Sequence, residues 1–303
     1  MSWQARALSL LLRATARPYT RLRSEEDIAS FRSLAARLDA RLGRAPRGVA
    51  VRWDESGPVP GQWIEPPGAR PDRLLLYLHG GGFVARTPVL HAGLVARLCA
   101  ASSMRAFVPD YRLAPEHPHP AAPQDCIDAY AWLASKPASG RIAVAGDSAG
   151  GCLVLTTLLQ ARDLGLARSP CGVLFSPATD LARPGESYRT NARRDALASD
   201  WESIQVLARA YLGDVDPTDP LASPIYAELE GLPPFLCQVS DTELLLDDAR
   251  GIVAGALAAG VDAQLDVYEG TPHVFQAFEF LPESREAVAR VVLFMNKHLE
   301  DSS

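Results

Sequence analysis

The sequence lacks several features that would assign it to a broad class at once. Its 303 residues contain no apolar run of 18 or more, so we expect no membrane-spanning helix. Basic residues do not dominate, because 30 lysines and arginines stand against 36 acidic residues, for a formal net charge of −6. This balance argues against nucleic acid as a partner.

Cysteine is scarce and follows no metal-site or disulfide pattern. The five cysteines are odd in number, have no Cys-x-x-Cys spacing and lie in apolar segments. We interpret them as small buried apolar side chains in a reducing compartment, and therefore expect a cytoplasmic protein. With 48% hydrophobic residues, the chain can bury one sizeable core.

One serine stands in a setting typical of a nucleophile. Residues 146–150 read Gly-Asp-Ser-Ala-Gly, after a short apolar run at 142–145 and before an apolar helical segment. This order predicts a strand, a sharp turn and a helix, with Ser148 at the turn. Small residues beside the turn leave room for it, so its hydroxyl is expected to be accessible.

Three consecutive glycines form a second motif upstream. The buried strand predicted at 74–78 leads directly into His79, Gly80, Gly81 and Gly82. Glycines contribute no packing, but they expose peptide N–H groups to a closely approaching ligand. We expect the N–H groups of Gly81, Gly82 and Ala149 to form an oxyanion hole. A phosphate-binding loop is the alternative, yet no Gly-Lys-Ser/Thr follows and the Gly-x-Gly-x-x-Gly spacing is absent.

A serine needs a neighbouring base, and a carboxylate usually orients that base. Among six histidines, only His273 follows a late predicted strand (264–268) and opens a loop. Asp241 directly follows the predicted strand at 235–240, on the edge where parallel sheets place their sites. Asp247 and Asp248 are rivals, but they belong to the first turn of the next helix. Ser148, Asp241 and His273 are thus the predicted triad, in the chain order of α/β-hydrolases.

Together these motifs resemble the hormone-sensitive-lipase-like (bacterial family IV) esterases of the α/β-hydrolase superfamily. The resemblance includes the stretches at 79–82, 110–118, 146–151, 223–227 with 231–234, 240–241 and 273–275. With Asp147 at its second position, the motif at 146–150 resembles that of the GDSAG subgroup. It implies hydrolysis of short- to medium-chain carboxylic esters without metal or organic cofactor. It also suggests a homodimer contact through the strand at 264–268.

The alternation of strands and helices predicts an α/β fold with a mostly parallel, eight-stranded sheet. Strands are expected near 49–53, 59–64, 73–78, 104–109, 141–145, 171–176, 235–240 and 264–268. Helices are expected near 89–101, 121–135, 149–163, 245–259 and 284–299. By resemblance, residues 1–45 and 180–230 form a helical cap on a core of residues 46–179 and 231–303.

The cap segments are predicted to be helical. Residues 199–202 resemble a capping box, and an apolar helix face with Trp201 and Tyr211 follows. With Phe83, these two aromatic residues are expected to shape the acyl pocket. Residues 1–24 hold five arginines and no acid, so the first helix either covers the pocket mouth, which we favour, or lies on lipid.

The residues predict a serine carboxylesterase that forms an acyl-enzyme on a small ester substrate. The same triad would cleave lactones, amides or carbamates, because it does not distinguish leaving groups. A non-catalytic ligand receptor on this fold is the alternative of another class. It is disfavoured here, because serine, carboxylate and histidine are all retained.

Overall fold

The computed structural model describes residues 1–43, 47–136, 141–198 and 200–301. The strands are β1 Ala50–Asp54, β2 Gly61–Glu65, β3 Arg73–Leu78, β4 Arg105–Pro109, β5 Arg141–Asp147, β6 Gly172–Phe175, β7 Phe235–Ser240 and β8 Ala263–Tyr268. The helices are α1 Trp3–Thr15, α2 Asp27–Leu42, α3 Pro88–Ser102, α4 Ala121–Ala134, α5 Ala149–Asp163, α6 Ser187–Thr190, α7 Trp201–Leu212, α8 Leu246–Ala258 and α9 Pro282–Asp301.

The eight strands form one sheet in the order β1-β2-β4-β3-β5-β6-β7-β8. The β1–β2 and β2–β4 pairs are antiparallel, whereas every pair from β4 to β8 is parallel. The predicted fold class is confirmed. Because β3, β5, β6, β7 and β8 run in one direction, their carboxyl ends share one edge, where the loops that follow them can meet.

The central strand β3 shows why this sequence forms a sheet covered on both faces. Leu74, Leu76 and Leu78 belong to one apolar cluster, and Leu75 and Tyr77 belong to a second. Side chains alternate between the two faces of a strand, so a continuous apolar run serves two layers at once. The helix α5 packs in the first cluster, and α3 and α9 pack in the second.

The segment between α1 and α2 contacts the start of α7. The Arg23 side chain, between α1 and α2, pairs with Asp200 at 2.7 Å and Glu202 at 3.1 Å, at the start of α7. The Leu22 N–H donates to Ser203 Oγ at 3.1 Å. The N-terminal segment and α7 therefore meet, and the division into cap and core stays a prediction.

The predicted strands and helices agree with the observed bounds to within two residues. At the start of α7, Asp200 is the N-cap, and its side chain accepts from Ser203 N. Ser199, the first residue of the predicted capping box, lies outside the described residues. Among the described residues, no helix combines the length and apolarity needed to cross a bilayer.

Candidate active site

Ser148 lies at the sharp turn between β5 and α5. Its backbone has φ 54° and ψ −119°, a conformation that costs energy for any residue except glycine. Backbone hydrogen bonds hold it: Ser148 N donates to Phe175 O at 2.8 Å, and Ser148 O accepts from Ala178 N at 3.1 Å and from Cys152 N at 3.3 Å. A Cβ on Gly150 would lie 1.9 Å from Leu78 O, so only glycine lets α5 start this close to β3.

The glycine loop after β3 presents backbone donors beside this serine. Gly81 has φ 127°, and a Cβ there would lie 2.0 Å from Ala85 O, so the loop requires glycine. Among the described residues, we find no intramolecular acceptor for the N–H groups of Gly81, Gly82 and Ala149. All three residues line the same cavity as Ser148. The structure therefore brings the predicted oxyanion donors together with the serine.

A buried carboxylate ties the serine turn to the glycine loop. Asp147 Oδ1 accepts from Gly80 N at 3.0 Å and from Tyr77 OH at 2.8 Å. Its carboxylate also contacts His91 Nε2 at 3.1 Å. Burial would raise the pKa of Asp147, but the charge and hydrogen bond of His91 outweigh burial and lower it. Asp147 raises the pKa of His91 in turn, against the opposite effect of burial.

His79, the first residue of the glycine motif, is buried and contacts the backbone of the glycine loop. Its Nδ1 lies 2.9 Å from Gly80 O and therefore carries a proton, because a carbonyl oxygen can only accept. Its ring stacks on Tyr111 with centroids 4.2 Å apart. Burial, together with the neighbouring charge of His91, lowers the pKa of His79 to about 4. The ring is thus neutral at pH 7.

His273 faces the same cavity as Ser148, and a glutamate holds it. Its Nδ1 lies 2.5 Å from Glu243 Oε2. The other oxygen, Oε1, accepts from Ser240 N and Ser176 Oγ, both at 2.8 Å. Burial would lower the pKa of His273, but the charge of Glu243 and this hydrogen bond raise it. A fully occupied carboxylate thus fixes the imidazole, leaving Nε2 available to the cavity.

The prediction that Asp241 orients the histidine is wrong. Asp241 Oδ1 accepts from Gly270 N at 2.7 Å, and Oδ2 pairs with Arg194 at 3.0 Å. Its side chain is 32% exposed, whereas that of Glu243 is 1% exposed. The strand β7 ends with Ser240. The turn after it directs the Asp241 side chain toward solvent and the Glu243 side chain toward the interior. Asp241 holds the loop that carries His273 rather than the imidazole itself.

The rival carboxylates also have structural partners. Asp247 and Asp248 lie in the first turn of α8, as the sequence indicated. Asp248 accepts from Thr179 N at 2.8 Å and from Asp180 N at 3.0 Å. Burial raises the pKa of Asp248 to about 7. The carboxylate fixes the chain after β6 and does not contact the histidine.

The sequence contains a pattern that indicates Glu243. Asp241 was predicted only because it directly follows the strand, and that criterion misses the glutamate. Glu243 is followed by Leu244, Leu245 and Leu246, and all three leucines are buried. A carboxylate joined directly to a buried apolar run faces the interior and needs a buried partner. Asp241 is two residues farther from that run and reaches solvent.

Ser148 and His273 line one cavity of about 210 Å³. Apolar side chains form most of its wall. They come from α1, α2, α7 and the loop after His273: Leu12, Phe31, Leu34, Ala35, Leu38, Ile204, Leu207, Ala208, Val274, Ala277 and Phe278. The Ser148 hydroxyl, the His273 imidazole and the backbone N–H groups of the glycine loop thus border one mostly apolar chamber.

Of the three aromatic residues predicted to shape this chamber, only Phe83 lines it. Tyr211 is fully buried behind it, stacked on the Phe83 ring with centroids 3.8 Å apart. Trp201 packs edge-on against Tyr188 at 4.9 Å. The helix α7 does form one wall, but its middle residues contribute the contacts and its ends pack elsewhere.

Comparison with known proteins agrees with this geometry. The profile of the α/β hydrolase fold family matches residues 75–277 of the chain. The chain belongs to this family. An acetyl-hydrolase from Streptomyces hygroscopicus is 39% identical over 75% of this chain and 76% of its own length.

Solved structures place this α/β hydrolase in the bacterial hormone-sensitive-lipase group. An esterase from that group is 38% identical and has a TM-score of 0.88, covering 99% of both chains. EstE5, a structure soaked with p-nitrophenyl butyrate, is 34% identical, with a TM-score of 0.90 over 99% of both chains. The resemblance in the sequence motifs therefore extends over the whole hydrolase fold.

Proposed function

We propose that this α/β hydrolase is a serine carboxylesterase that hydrolyses short- to medium-chain esters through an acyl-enzyme. The similarity to an acetyl-hydrolase and to esterases of this family supports ester hydrolysis. The assignment of roles depends on one observation: His273, held by Glu243 at 2.5 Å, opens onto the cavity that contains Ser148. That arrangement supports Ser148 as nucleophile, His273 as base and Glu243 as the orienting acid.

In the first half of the reaction, Ser148 Oγ attacks the ester carbonyl carbon while His273 Nε2 takes its proton. The carbonyl oxygen becomes negative and receives hydrogen bonds from the N–H groups of Gly81, Gly82 and Ala149. Each such donor contributes about 3 kcal/mol to lowering the barrier. His273 then protonates the departing alcohol, which leaves an acyl group on Ser148.

In the second half, a water molecule takes the place of the alcohol. His273 removes one proton from the water, and the resulting hydroxide attacks the acyl carbon. Collapse of the intermediate releases the carboxylic acid and returns the proton to Ser148. The imidazolium that forms twice in the cycle is stabilised by Glu243, which is why a fully hydrogen-bonded, buried carboxylate suits this position.

The chamber supports an acyl group of limited length. Its volume of about 210 Å³ is below the range of about 300–1,000 Å³ typical of pockets for drug-sized ligands. Its wall is mostly apolar, so it favours a hydrocarbon chain over a charged one. We therefore expect the highest rates with short and medium acyl chains, up to about eight carbons.

The direct test is release of p-nitrophenol from a series of esters with two to twelve acyl carbons. Ser148→Ala should lose activity about 10³-fold or more. Ser33→Ala makes the same change on the outer face of α2 and should stay within twofold of wild type. Equal rates for wild type and Ser148→Ala would reject the proposal, as would tight ligand retention without turnover.

The same series needs lactones, anilides and carbamates, because the triad does not select a leaving group. A burst of one p-nitrophenol per protein in rapid mixing would identify the acyl-enzyme. A cytoplasmic location and a dimer through β8 stay predictions. The five cysteines are free and buried, in keeping with a reducing compartment.

A further inference from the structure

The outward face of α1 is apolar, although it faces solvent. Trp3, Leu10 and Leu11 are 75%, 60% and 52% exposed. Ala7 and Ala14 are exposed between them, and at 100° per residue all five lie on one arc of the helix. An exposed apolar stripe of this size is typical of a surface that meets a partner.

The inward face of α1 packs against other elements of the same chain. Ala5, Leu8 and Leu12 are buried in an apolar cluster with residues of α2, α9 and the loop before α9. Leu12 also lines the cavity that contains Ser148. Packing within the chain therefore requires only one face of α1, and the stripe of Trp3, Leu10 and Leu11 is left for contacts outside the molecule.

The N-terminal segment that contains this stripe has a positive net charge in an otherwise acidic protein. Residues 1–47 contain ten arginines and four acidic residues, for a net charge of +6, and residues 48–303 have a net charge of −12. Arg6 and Arg21 are exposed and make no ion pair among the described residues. Nearby carboxylates have partners: Glu269 lies 3.8 Å from the terminal amine, and Glu283 accepts from Ser2.

We propose that this face of α1 docks on an anionic lipid surface, from which ester substrates enter the catalytic cavity. The apolar side chains would enter the boundary between headgroups and acyl chains, while the arginines face phosphate. A second copy of the chain fits the face less well, since two surfaces of net positive charge repel. The entry of substrate, unlike the docking, depends on the function proposed above.

Docking is tested without turnover by sedimenting the Ser148→Ala protein with sucrose-loaded vesicles. Phosphatidylglycerol vesicles should bind it at least tenfold more tightly than phosphatidylcholine vesicles. Raising the salt concentration should weaken binding, because exposed charges are screened. Equal binding to both lipids, or binding to neither, would overturn the proposal. Any purification tag belongs at the carboxyl end, away from α1.

The residues are tested by replacing the apolar side chains of the stripe with polar ones. The combined variant Trp3→Gln, Leu10→Gln, Leu11→Gln should lose at least tenfold in affinity for phosphatidylglycerol vesicles. The matched control is Leu164→Gln, Leu257→Gln, Leu293→Gln, three leucines exposed elsewhere, and it should bind as the parent does. Arg6→Gln with Arg21→Gln should weaken binding about thirtyfold. Identical losses in the test and control variants would overturn the assignment to α1.

Substrate entry is tested by comparing one soluble and one vesicle-borne ester on the active protein. The combined stripe variant should hydrolyse p-nitrophenyl butyrate within twofold of wild type, but lose at least tenfold on p-nitrophenyl octanoate dissolved in phosphatidylglycerol vesicles. Unchanged hydrolysis of the vesicle-borne ester would overturn the entry route. Light scattering tests the alternative that a second copy of the chain binds to this face. If wild type is a dimer and the stripe variant is a monomer, the face belongs to a second copy and the proposal is overturned.

Discussion

At the residue scale, His273 is governed by carboxylates on more than one side. Glu243 contacts Nδ1 directly, and buried Asp195 lies in the same cavity wall. Asp195 accepts from Leu244 N at 2.9 Å, one residue after Glu243. Burial raises the pKa of Asp195, and the nearby charge of Glu243 adds to this effect. The negative surroundings favour the protonated imidazole, which suits a base that must hold a proton between two steps.

This environment predicts the pH dependence of the reaction. As the proposed general base, His273 must be unprotonated at Nε2 in the free enzyme, and its pKa is raised above its ordinary value of 6.5. Activity should therefore fall as the pH falls through that raised pKa, so the acid limb of kcat/KM should lie above pH 6.5. The check is a profile of kcat/KM from pH 5 to pH 9. A midpoint below 6.5 would contradict the stated environment of His273.

The choice of acid is tested by paired amide variants. Glu243→Gln removes the charge that fixes the imidazole, so kcat should fall by about 10³- to 10⁴-fold. Asp241→Asn alters only the bond to Gly270 and the pair with Arg194, so kcat should fall less than tenfold. Steady-state kinetics on p-nitrophenyl butyrate measure both. The reverse order of effects would return the role to Asp241.

At the scale of the element, the glycine loop depends on a charge pair beneath it. Asp147 is the last residue of β5 and bonds to Gly80 in the loop, so one side chain joins the serine turn to the proposed oxyanion donors. His91, on α3, supplies the compensating charge at 3.1 Å. A buried carboxylate without such a partner is strongly destabilising, so α3 contributes to the site without touching the cavity's reacting groups.

Stability should therefore depend on pH through this pair. The pKa of His91 is raised, so its contribution is fully present below pH 6.5 and is lost as the pH rises through the raised value. The pKa of Asp147 is lowered, so its contribution is present above about pH 4 and is lost at lower pH. Urea unfolding at pH 5 to 9 should show the alkaline loss.

Variants separate this pair from other titrating groups. His91→Gln alone leaves a buried carboxylate unpaired and should lower the unfolding free energy by about 3–5 kcal/mol. The double variant His91→Gln, Asp147→Asn removes both charges, so it should recover part of that loss. The unfolding free energy of the double variant should also no longer fall as the pH rises from 5 to 9. An unchanged slope in the double variant would show that other groups cause it.

At the scale of the molecule, polar contacts of one side chain join α2 to the loops that follow β3 and β4. Arg32 on α2 donates to Glu116 at 2.6 Å, to Val84 O at 2.7 Å and to Ala114 O at 2.8 Å. One side chain thus connects α2 to the chain after the glycine loop. Arg112, four residues before Glu116, pairs instead with Asp125 at 2.7 Å.

Loss of this anchor should loosen the cavity wall that α2 provides. Arg32→Gln should raise KM for butyrate esters several-fold, with little change in kcat. It should lower the unfolding free energy by about 1–2 kcal/mol, since two carbonyl bonds and a half-exposed ion pair are lost. Arg41→Gln, an exposed arginine on the same helix, is the matched control. Similar kinetics for both variants would show that Arg32 does not anchor the cap.

Local patterns in the sequence were sufficient for much of this protein. The bounds of strands and helices follow from side-chain periodicity, which each segment carries within itself. Ser148 and the glycines at 81 and 82 were also found locally, because their backbone geometry requires particular residues at adjacent positions. His273 needed only its place after the last strand.

Tertiary structure alone decided which side chains meet. Asp241 and Glu243 are two residues apart, and the direction of one turn selects the glutamate as the partner of His273. Trp201 and Tyr211 have the right composition for a pocket wall, yet the angle at which α7 packs turns both away from it. The sequence determined the elements and the chemistry that they carry. The relative orientation of packed elements determined which of these groups share the cavity, because it depends on contacts between residues far apart in the chain.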